Sequence, residues 1–421
     1  MLLIKNGHVV DPFHGTDAVR DLYVSDGKVL PAHLAGAPAD EVIDAAGMIV
    51  APGLVDMHVH FRDPGQTHKE DLLSGALAAA AGGVTTAVCM PNTDPVIDTP
   101  EAVARLLERA EGLPIHVLPY AAVSAGQKGT EPTDWAALIK AGAAALSDDG
   151  MPVMDAALMR RALKAAAAGG FVISSHCEDL SLAQNFAVNE GAVSRELGIP
   201  GRPAIAEEIM VMRDLMLAEE TGAHIHIAHV STARSVALIE EAKRRGVRVT
   251  AETCPHYFAL TEKEILAHGA AARVNPPLRT EKDVAAIVAG LQSGAIDAIA
   301  TDHAPHAADE KALPLTEAPS GISGLETSLA VALTYLYHTG RLDLMAVIDL
   351  MSTAPAAILG LDKGRIGPGD EADIVIFDPD EEWTVSPARF FSRGKSTPFA
   401  GARLKGRVKF TICRGKVVYK D

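Results

Sequence analysis

Through most of this chain, short β-branched apolar runs alternate with longer Ala- and Leu-rich stretches, and glycine marks the joins. A helical stretch closing on glycine, followed by a strand, recurs seven times. Gly82 and Gly83 precede a strand over 84–90, Gly112 one over 115–120, and Gly142 one over 143–147. Gly169 and Gly170 precede one over 171–176, Gly222 one over 224–229, Gly246 one over 247–252 and Gly294 one over 296–302. Glycine just past a helix takes the left-handed cap conformation and stops it. A further strand, first in chain order, runs through the Pro- and Gly-bounded apolar segment from Met48 to Val55 and ends at His60. Eight strands alternating with helices predict an α/β fold, a (β/α)8 TIM-like barrel, with a doubly wound open sheet as the alternative.

The two ends of the chain follow a different rule. Leu2 to Ile4, Asn6-Gly7 and His8 to Val10 read as strand, turn, strand, and Leu22 to Val24, Asp26-Gly27 and Lys28 to Leu30 repeat the cue. Near the C-terminus, Ala372 to Phe377 is one strand, and Lys409 to Cys413, Arg414-Gly415 and Lys416 to Tyr419 form another hairpin pattern. Each set is too small for a core of its own, which predicts that residues 1–52 and 364–421 pack together as a small β-sandwich domain beside a barrel over 53–363. The long stretch from His176 to His224 calls for an extra helical excursion, and the Pro- and Gly-rich connection from Pro305 to Gly324 for a mobile loop over the site. Thr67 with Glu70, and Thr261 with Glu264, fit capping boxes, the first opening the first barrel helix.

Composition narrows the class. Of 421 residues 48% are hydrophobic and 22% charged, as in a folded globular protein. The formal charge of −16 argues against nucleic acid or an anionic membrane as partner. Any anionic substrate must therefore be drawn by a local positive site. The four cysteines are far apart, with no Cys-x-x-Cys pair, so each reads as a buried small hydrophobe in a reducing compartment. With no export signal and no membrane-length apolar run, the expected location is cytoplasmic.

The chemistry lies where the strands end. His58 and His60 alternate onto one side of the first strand, as two imidazoles binding one zinc at ~2.0–2.1 Å would. Strand 4 ends in Asp148 and Asp149, strand 5 at His176, strand 6 at His229 and strand 8 at Asp302. Barrel active sites lie at C-terminal strand ends, so five strands deliver an imidazole or carboxylate to one rim. Nitrogen and oxygen donors without thiolate suit zinc or manganese. The set His58, His60, Asp149, His176, His229 and Asp302 suffices for two ions sharing the Asp149 carboxylate, or for one ion with spare groups.

Neighbouring polar residues read as structural. His224 and His226 sit lower on strand 6, Asp148 points away from Asp149, His68 is exposed, and His303 faces away from the rim. Glu178 and Asp179 suit a helix N-terminus. His256 reads equally well as structural or functional.

The segments Asp56-Met57-His58-Val59-His60-Phe61-Arg62 and Ala300-Thr301-Asp302-His303-Ala304-Pro305-His306, the latter followed by Lys311, closely resemble the two hallmark motifs of dihydroorotase, within the amidohydrolase superfamily. Met90 to Thr93, Val274 to Leu278 and Gly367 to Ile374 resemble that family too, so the likeness covers nearly the whole chain. It is most similar to the long bacterial type I enzymes, with Asp149 where many relatives carry a carboxylated bridging lysine. The resemblance implies the zinc-dependent, reversible cyclisation of N-carbamoyl-L-aspartate to L-dihydroorotate in pyrimidine synthesis. It implies the six residues above as ligands of one or two zinc ions, with Asp302 also catalytic. It further implies that Arg62, Asn92 and His306 hold the substrate carboxylate, and that Asn275 and the Ser320-Gly321 backbone contact the ring. Ser320 departs from the aromatic residue often found in the family. Aspartate carbamoyltransferase and further copies of the chain are the implied partners.

The chemistry agrees on its own terms. A divalent ion lowers the pKa of water to ~7 and polarises a carbonyl, Asp302 can shuttle the proton, and the planar fork of Arg62 suits a carboxylate. Two divalent ions outweigh two aspartates and a hydroxide, and Arg62 adds further positive charge, so the site can attract a dianion. Hydantoinase and allantoinase are the rival activities, and a silent scaffold for the carbamoyltransferase is the non-catalytic alternative.

Overall fold

The computed structural model describes residues 1–31 and 38–421. Eight parallel strands follow one another around a barrel: Leu54–Val59, Val84–Cys89, His116–Ala121, Ala145–Ser147, Ile173–Ser175, Ile225–Ile227, Val249–Thr253 and Ala298–Ile299. Every neighbouring pair is in parallel register, from Leu54 opposite Val84 to Glu252 opposite Ala298. The ring closes where His60 N donates to His303 O at 2.8 Å, beside a parallel bridge between Val59 and His303. Asp56 reinforces the closure by accepting from the backbone N–H of His58 (3.2 Å) and of Thr301 (3.1 Å). Burial pushes its carboxyl up to about 7. This closure excludes the open-sheet alternative.

The observed strands are shorter than the predicted ones because their last residues leave the ladder at the rim. His229 (φ 36°) and Asp302 (φ 47°) have turned into the left-handed region there. Helices cover the barrel, among them Leu72–Ala81, Ala156–Gly169, Ile205–Thr221, Ala233–Arg244 and Glu281–Ser293. Gly222, at φ 71°, donates its N–H to Ala218 O and ends the longest of these five.

The chain ends meet in a second, eight-stranded sheet. Ile49–Pro52 lies between Leu2–Asp11 and Ile374–Thr384, with Val375 opposite Ala51, and Arg403–Cys413 and Lys416–Lys420 extend the sheet outward. Asp26-Gly27 and Arg414-Gly415 turn hairpins as predicted. Asn6-Gly7 does not. Leu2–Asp11 continues through it as one strand, because both halves pair with Thr16–Ser25 and the left-handed Asn6 (φ 60°) is absorbed as a bulge.

The excursion after strand 5 holds the short helices Leu180–Ala183 and Ala192–Leu197 and a two-stranded pairing of Val188–Asn189 with Gly201–Arg202. Neither expected capping box forms. The first barrel helix starts one turn later than predicted, capped by Asp71 and Ser74, while Glu70 is buried and accepts from the Ser392 hydroxyl (2.5 Å) and Arg393 N (3.1 Å). Glu264–His268 carries no side-chain cap, and the Glu264 carboxylate lies 3.4 Å from His268 Nε2 one turn further along instead. At Glu70 long-range partners outweigh a local cap. All four cysteines are buried and unpaired. No helix among the described residues is long and apolar enough to cross a membrane.

Candidate metal centre

Six side chains from five strand ends meet at the C-terminal mouth of the barrel, and all six are buried. Asp149 lies at their centre. Its Oδ2 is 3.3 Å from His58 Nε2 and 3.4 Å from His60 Nε2. Its Oδ1 is 3.3 Å from His176 Nδ1 and 3.2 Å from His229 Nε2. Asp302 Oδ1 completes the first half, 3.0 Å from His60 Nε2 and 3.6 Å from His58 Nε2. The cluster thus divides into two ligand groups joined by one carboxylate.

The outer ring nitrogens say what this cluster can hold. His58 Nδ1 lies 2.6 Å from Glu252 Oε1, His60 Nδ1 2.8 Å from Asn92 Oδ1, and His176 Nε2 3.3 Å from Glu178 Oε2. Each outer nitrogen faces an acceptor and so carries the ring proton, which leaves a lone pair on the inner nitrogen. Lone pairs and carboxylates all aimed inward repel one another unless a cation lies between them. His58 Nε2, buried without a hydrogen-bond partner among the described residues, fits that need. Otherwise protons fill the role: burial opposes a charge on His176, but Asp149 and Glu178 push it up to about 10. Burial likewise opposes a charge on Asp149, yet the His58 charge and hydrogen bonds from His176 and His229 hold its carboxyl well below the ordinary range. The donor set suits a divalent ion that accepts nitrogen and oxygen.

Around this centre the structure places a second set of groups. Arg62, buried and at φ 58°, donates from Nε to Pro305 O at 3.2 Å, and its Nη2 is 3.3 Å from His306 Nε2. Three rim residues, Arg62, His229 and Asp302, therefore hold a backbone conformation that non-glycine residues rarely adopt, a form of strain that clusters at functional sites. Burial, with the charges of Arg62, Lys69 and Lys311, pushes His306 down to about 3, so its ring is neutral. His306 Nε2 lies 2.9 Å from Ser320 O, and Ser320 Oγ accepts from Arg273 Nε at 3.2 Å. Gly321 N donates to Arg273 O at 2.9 Å. The connection from Pro305 to Gly324 is pinned by Lys311, whose Nζ donates to Pro319 O (3.0 Å) and Gly321 O (2.9 Å).

Sequence reasoning missed three groups. Glu252, the last residue of predicted strand 7, is a strand-end glutamate without a histidine neighbour and so carries no signal in the sequence. Glu178 accepts from Asn275 Nδ2 at 3.2 Å and pairs with the buried Arg202, which also donates to Asn275 Oδ1, so it reaches beyond the helix start where it was placed. Arg202 gave no cue at all. Asp148 is structural, accepting from Val123 N (2.8 Å), Ser124 N (3.1 Å) and the Ser124 hydroxyl. His226 lies 3.3 Å from Glu252 Oε2, beneath the cluster. His256 is buried with Nε2 unpartnered among the described residues, and burial pushes it down to about 4. A cleft of about 660 Å³ opens elsewhere, near His116 and Lys363, but its charges are already paired, Lys363 Nζ lying 2.8 Å from both His116 Nε2 and Asp373 Oδ2.

Comparison with known proteins adds to this picture. A family model described as dihydro-orotase-like matches residues 47–235. The dihydroorotase of Pelotomaculum thermopropionicum is 50% identical over 424 residues, covering 100% of this chain and 99% of the relative. That of Citrifermentans bemidjiense is 49% identical over 423 residues, again with 100% and 99% coverage. Among solved structures, the L-hydantoinase (dihydropyrimidinase) from Arthrobacter aurescens superposes with a TM-score of 0.90 at 28% identity, covering 100% of this chain and 96% of that one.

Proposed function

This chain belongs to the dihydroorotase family, and from that premise we propose how its rim residues carry out the family's reaction. The enzyme interconverts N-carbamoyl-L-aspartate and L-dihydroorotate with release or uptake of water, a step of pyrimidine biosynthesis. The hydantoinase reading is not favoured, since relatives with that name stand at 28% identity or below among those compared and the dihydroorotases near 50%.

The observation that carries the residue assignment is the pair Arg62 and His306 at 3.3 Å beside the histidine–aspartate centre. It offers a carboxylate clamp, which dihydroorotate can use and plain hydantoin cannot. His58, His60, Asp149, His176, His229 and Asp302 would hold zinc, as one ion or two. When bound, zinc supplies Lewis acidity that polarises the amide carbonyl and lowers the pKa of water to ~7.

The chain's own groups do the rest. Asp302, with Oδ1 turned to His60, takes a proton from the attacking water on Oδ2 and returns it to the leaving ring nitrogen. In the cyclising direction the same oxygen takes the ureido proton. Arg62 grips the α-carboxylate with two parallel hydrogen bonds while neutral His306 and Asn92 complete its seat. Asn275 and the Ser320-Gly321 backbone hold the ring, and Glu178 with Arg202 fixes the Asn275 amide in one orientation. A silent scaffold would have no use for this complete set. Residues 1–52 with 364–421 serve as the accessory β domain, and the catalytic barrel spans 53–363. The protein works in the cytoplasm as a homo-oligomer, with aspartate carbamoyltransferase as a further partner.

Metal analysis of the purified protein alongside hydrolysis assays tests this reading. Zinc retained through dialysis, with turnover of dihydroorotate and not of hydantoin or allantoin, is the expected result. Faster turnover of hydantoin would overturn the substrate assignment.

A further inference from the structure

Two antiparallel strands that pair to their ends need only a short turn between them. Ile374–Thr384 and Arg403–Cys413 pair as far as Thr384 opposite Arg403, yet residues 385–402 separate them. The middle of that connection, 390–397, lies outside the second sheet and is tied to the barrel at three points. Phe391 N (3.0 Å) and Ser392 N (3.1 Å) donate to the Glu326 carboxylate. Glu70 accepts from the Ser392 hydroxyl and from Arg393 N. Ser323, in the long connection after strand 8, donates from Oγ to Gly394 O (2.7 Å) and from N to Ser396 O (2.8 Å). The segment is a strap drawn down onto the barrel.

At the centre of the strap, Gly394 is buried against Pro305 and His306. A Cβ on Gly394 would lie 2.6 Å from Pro305 Cβ and 2.9 Å from His306 N, so only glycine permits this approach. The segment it meets is gripped a second time by Gly321, where a Cβ would come within 2.4 Å of Ala304 O and 3.1 Å of His306 Nε2. Residues 304–306 are therefore fixed by two close backbone approaches. Arg62 depends on them, since its Nε donates to Pro305 O at 3.2 Å and its Nη2 is 3.3 Å from His306 Nε2.

We infer that Gly394 is a positioning residue for the substrate carboxylate: by letting the strap close on Pro305 and His306, it sets where the Arg62–His306 pair stands. The inference rests on the clamp reading above. It adds that the second sheet, through this strap, tunes substrate affinity from outside the barrel. A strap that served stability alone would show in the melting temperature, whereas one that sets the clamp shows in KM, because the clamp holds substrate and transition state alike.

Steady-state kinetics with dihydroorotate tests the inference. Gly394→Ala must displace the Pro305–His306 backbone. KM should rise about 10-fold with kcat kept and zinc content as in wild type, since a shift well under 1 Å in a binding group is felt on that scale. In an Arg62→Lys background the same substitution should raise KM by less than about 2-fold, because the clamp it positions is already lost. A fall in kcat at constant KM, or the full effect in the Arg62→Lys background, would overturn the inference and leave the clamp standing. If Arg62→Lys itself leaves KM unchanged, the clamp reading fails and this one with it. Ser323→Ala releases Gly394 O without adding an atom, and so covers the case in which Gly394→Ala does not fold. It should raise KM about 3-fold, the scale of one hydrogen bond, and a wild-type KM there would equally overturn the inference.

Discussion

Glu252 Oε1 lies 2.6 Å from His58 Nδ1, and its other oxygen lies 3.3 Å from His226 Nε2. Burial opposes a charge on this carboxyl, but the His58 charge, the nearby His226 ring and the hydrogen bond from His58 hold it below the ordinary glutamate range. It is therefore an anion that fixes the tautomer and tilt of His58. Partners of this kind are worth 10–100-fold in metal affinity. Glu252→Gln should weaken zinc retention by about that factor, read by chelator competition. Retention equal to wild type would remove Glu252 from this role.

Asp302→Asn keeps the shape of the rim but removes the proposed proton carrier. Turnover should fall by ~10²–10⁴-fold while the melting temperature changes little. Activity within a few-fold of wild type would assign the proton transfer to another group.

Arg62→Lys exchanges the proposed two-pronged clamp for a point charge. Steady-state kinetics with dihydroorotate should show KM raised by roughly 10-fold or more with kcat nearly kept, as loss of a charge-assisted hydrogen bond implies. A drop in kcat at constant KM would contradict the clamp.

Lys311 is the cation around which the long connection after strand 8 is wrapped. Burial, with the nearby Arg273 charge, pushes its amine down to about 7. Lys311→Met leaves the carbonyls of Pro319 and Gly321 without this donor. Hydrogen exchange across 312–324 should then accelerate and KM rise, with exchange in the barrel strands unaltered. Unchanged exchange in that segment would show that Arg273 alone holds it.

Glu326 predicts a pH dependence of stability. Burial raises its carboxyl from the ordinary 4.5 to about 7, although Ser392 N and Phe391 N donate to it. A raised folded-state pKa contributes stability that is fully present below 4.5 and is lost as pH rises through about 7. The loss is on the order of 2–3 kcal/mol by pH 8. Thermal unfolding of Glu326→Gln should therefore depend less on pH between 5 and 8 than that of wild type, and parallel curves would refute the assignment.

Much of this molecule is legible in its sequence. Apolar periodicity and helix-stopping glycines are local signals, so all eight barrel strands and the split accessory sheet could be read in order. The six rim groups were legible for a related reason: in a barrel the strand end is itself an address, and histidine or aspartate there is conspicuous. Where local rules competed with distant partners they failed. Asn6-Gly7 had turn chemistry but lay inside a strand paired on both halves, and Glu70 had capping-box spacing but was drawn to Ser392 and Arg393.

The sequence by itself therefore determined the order of elements, the side of the barrel that bears the chemistry and the donor types available there. The tertiary structure alone decided which donors become neighbours. His58 and Glu252 are separated by 194 residues, and so no spacing rule could pair them. Local propensity acts over a few residues of backbone, whereas orienting a buried imidazole needs an acceptor at a set distance and angle, and only the closed barrel brings one there.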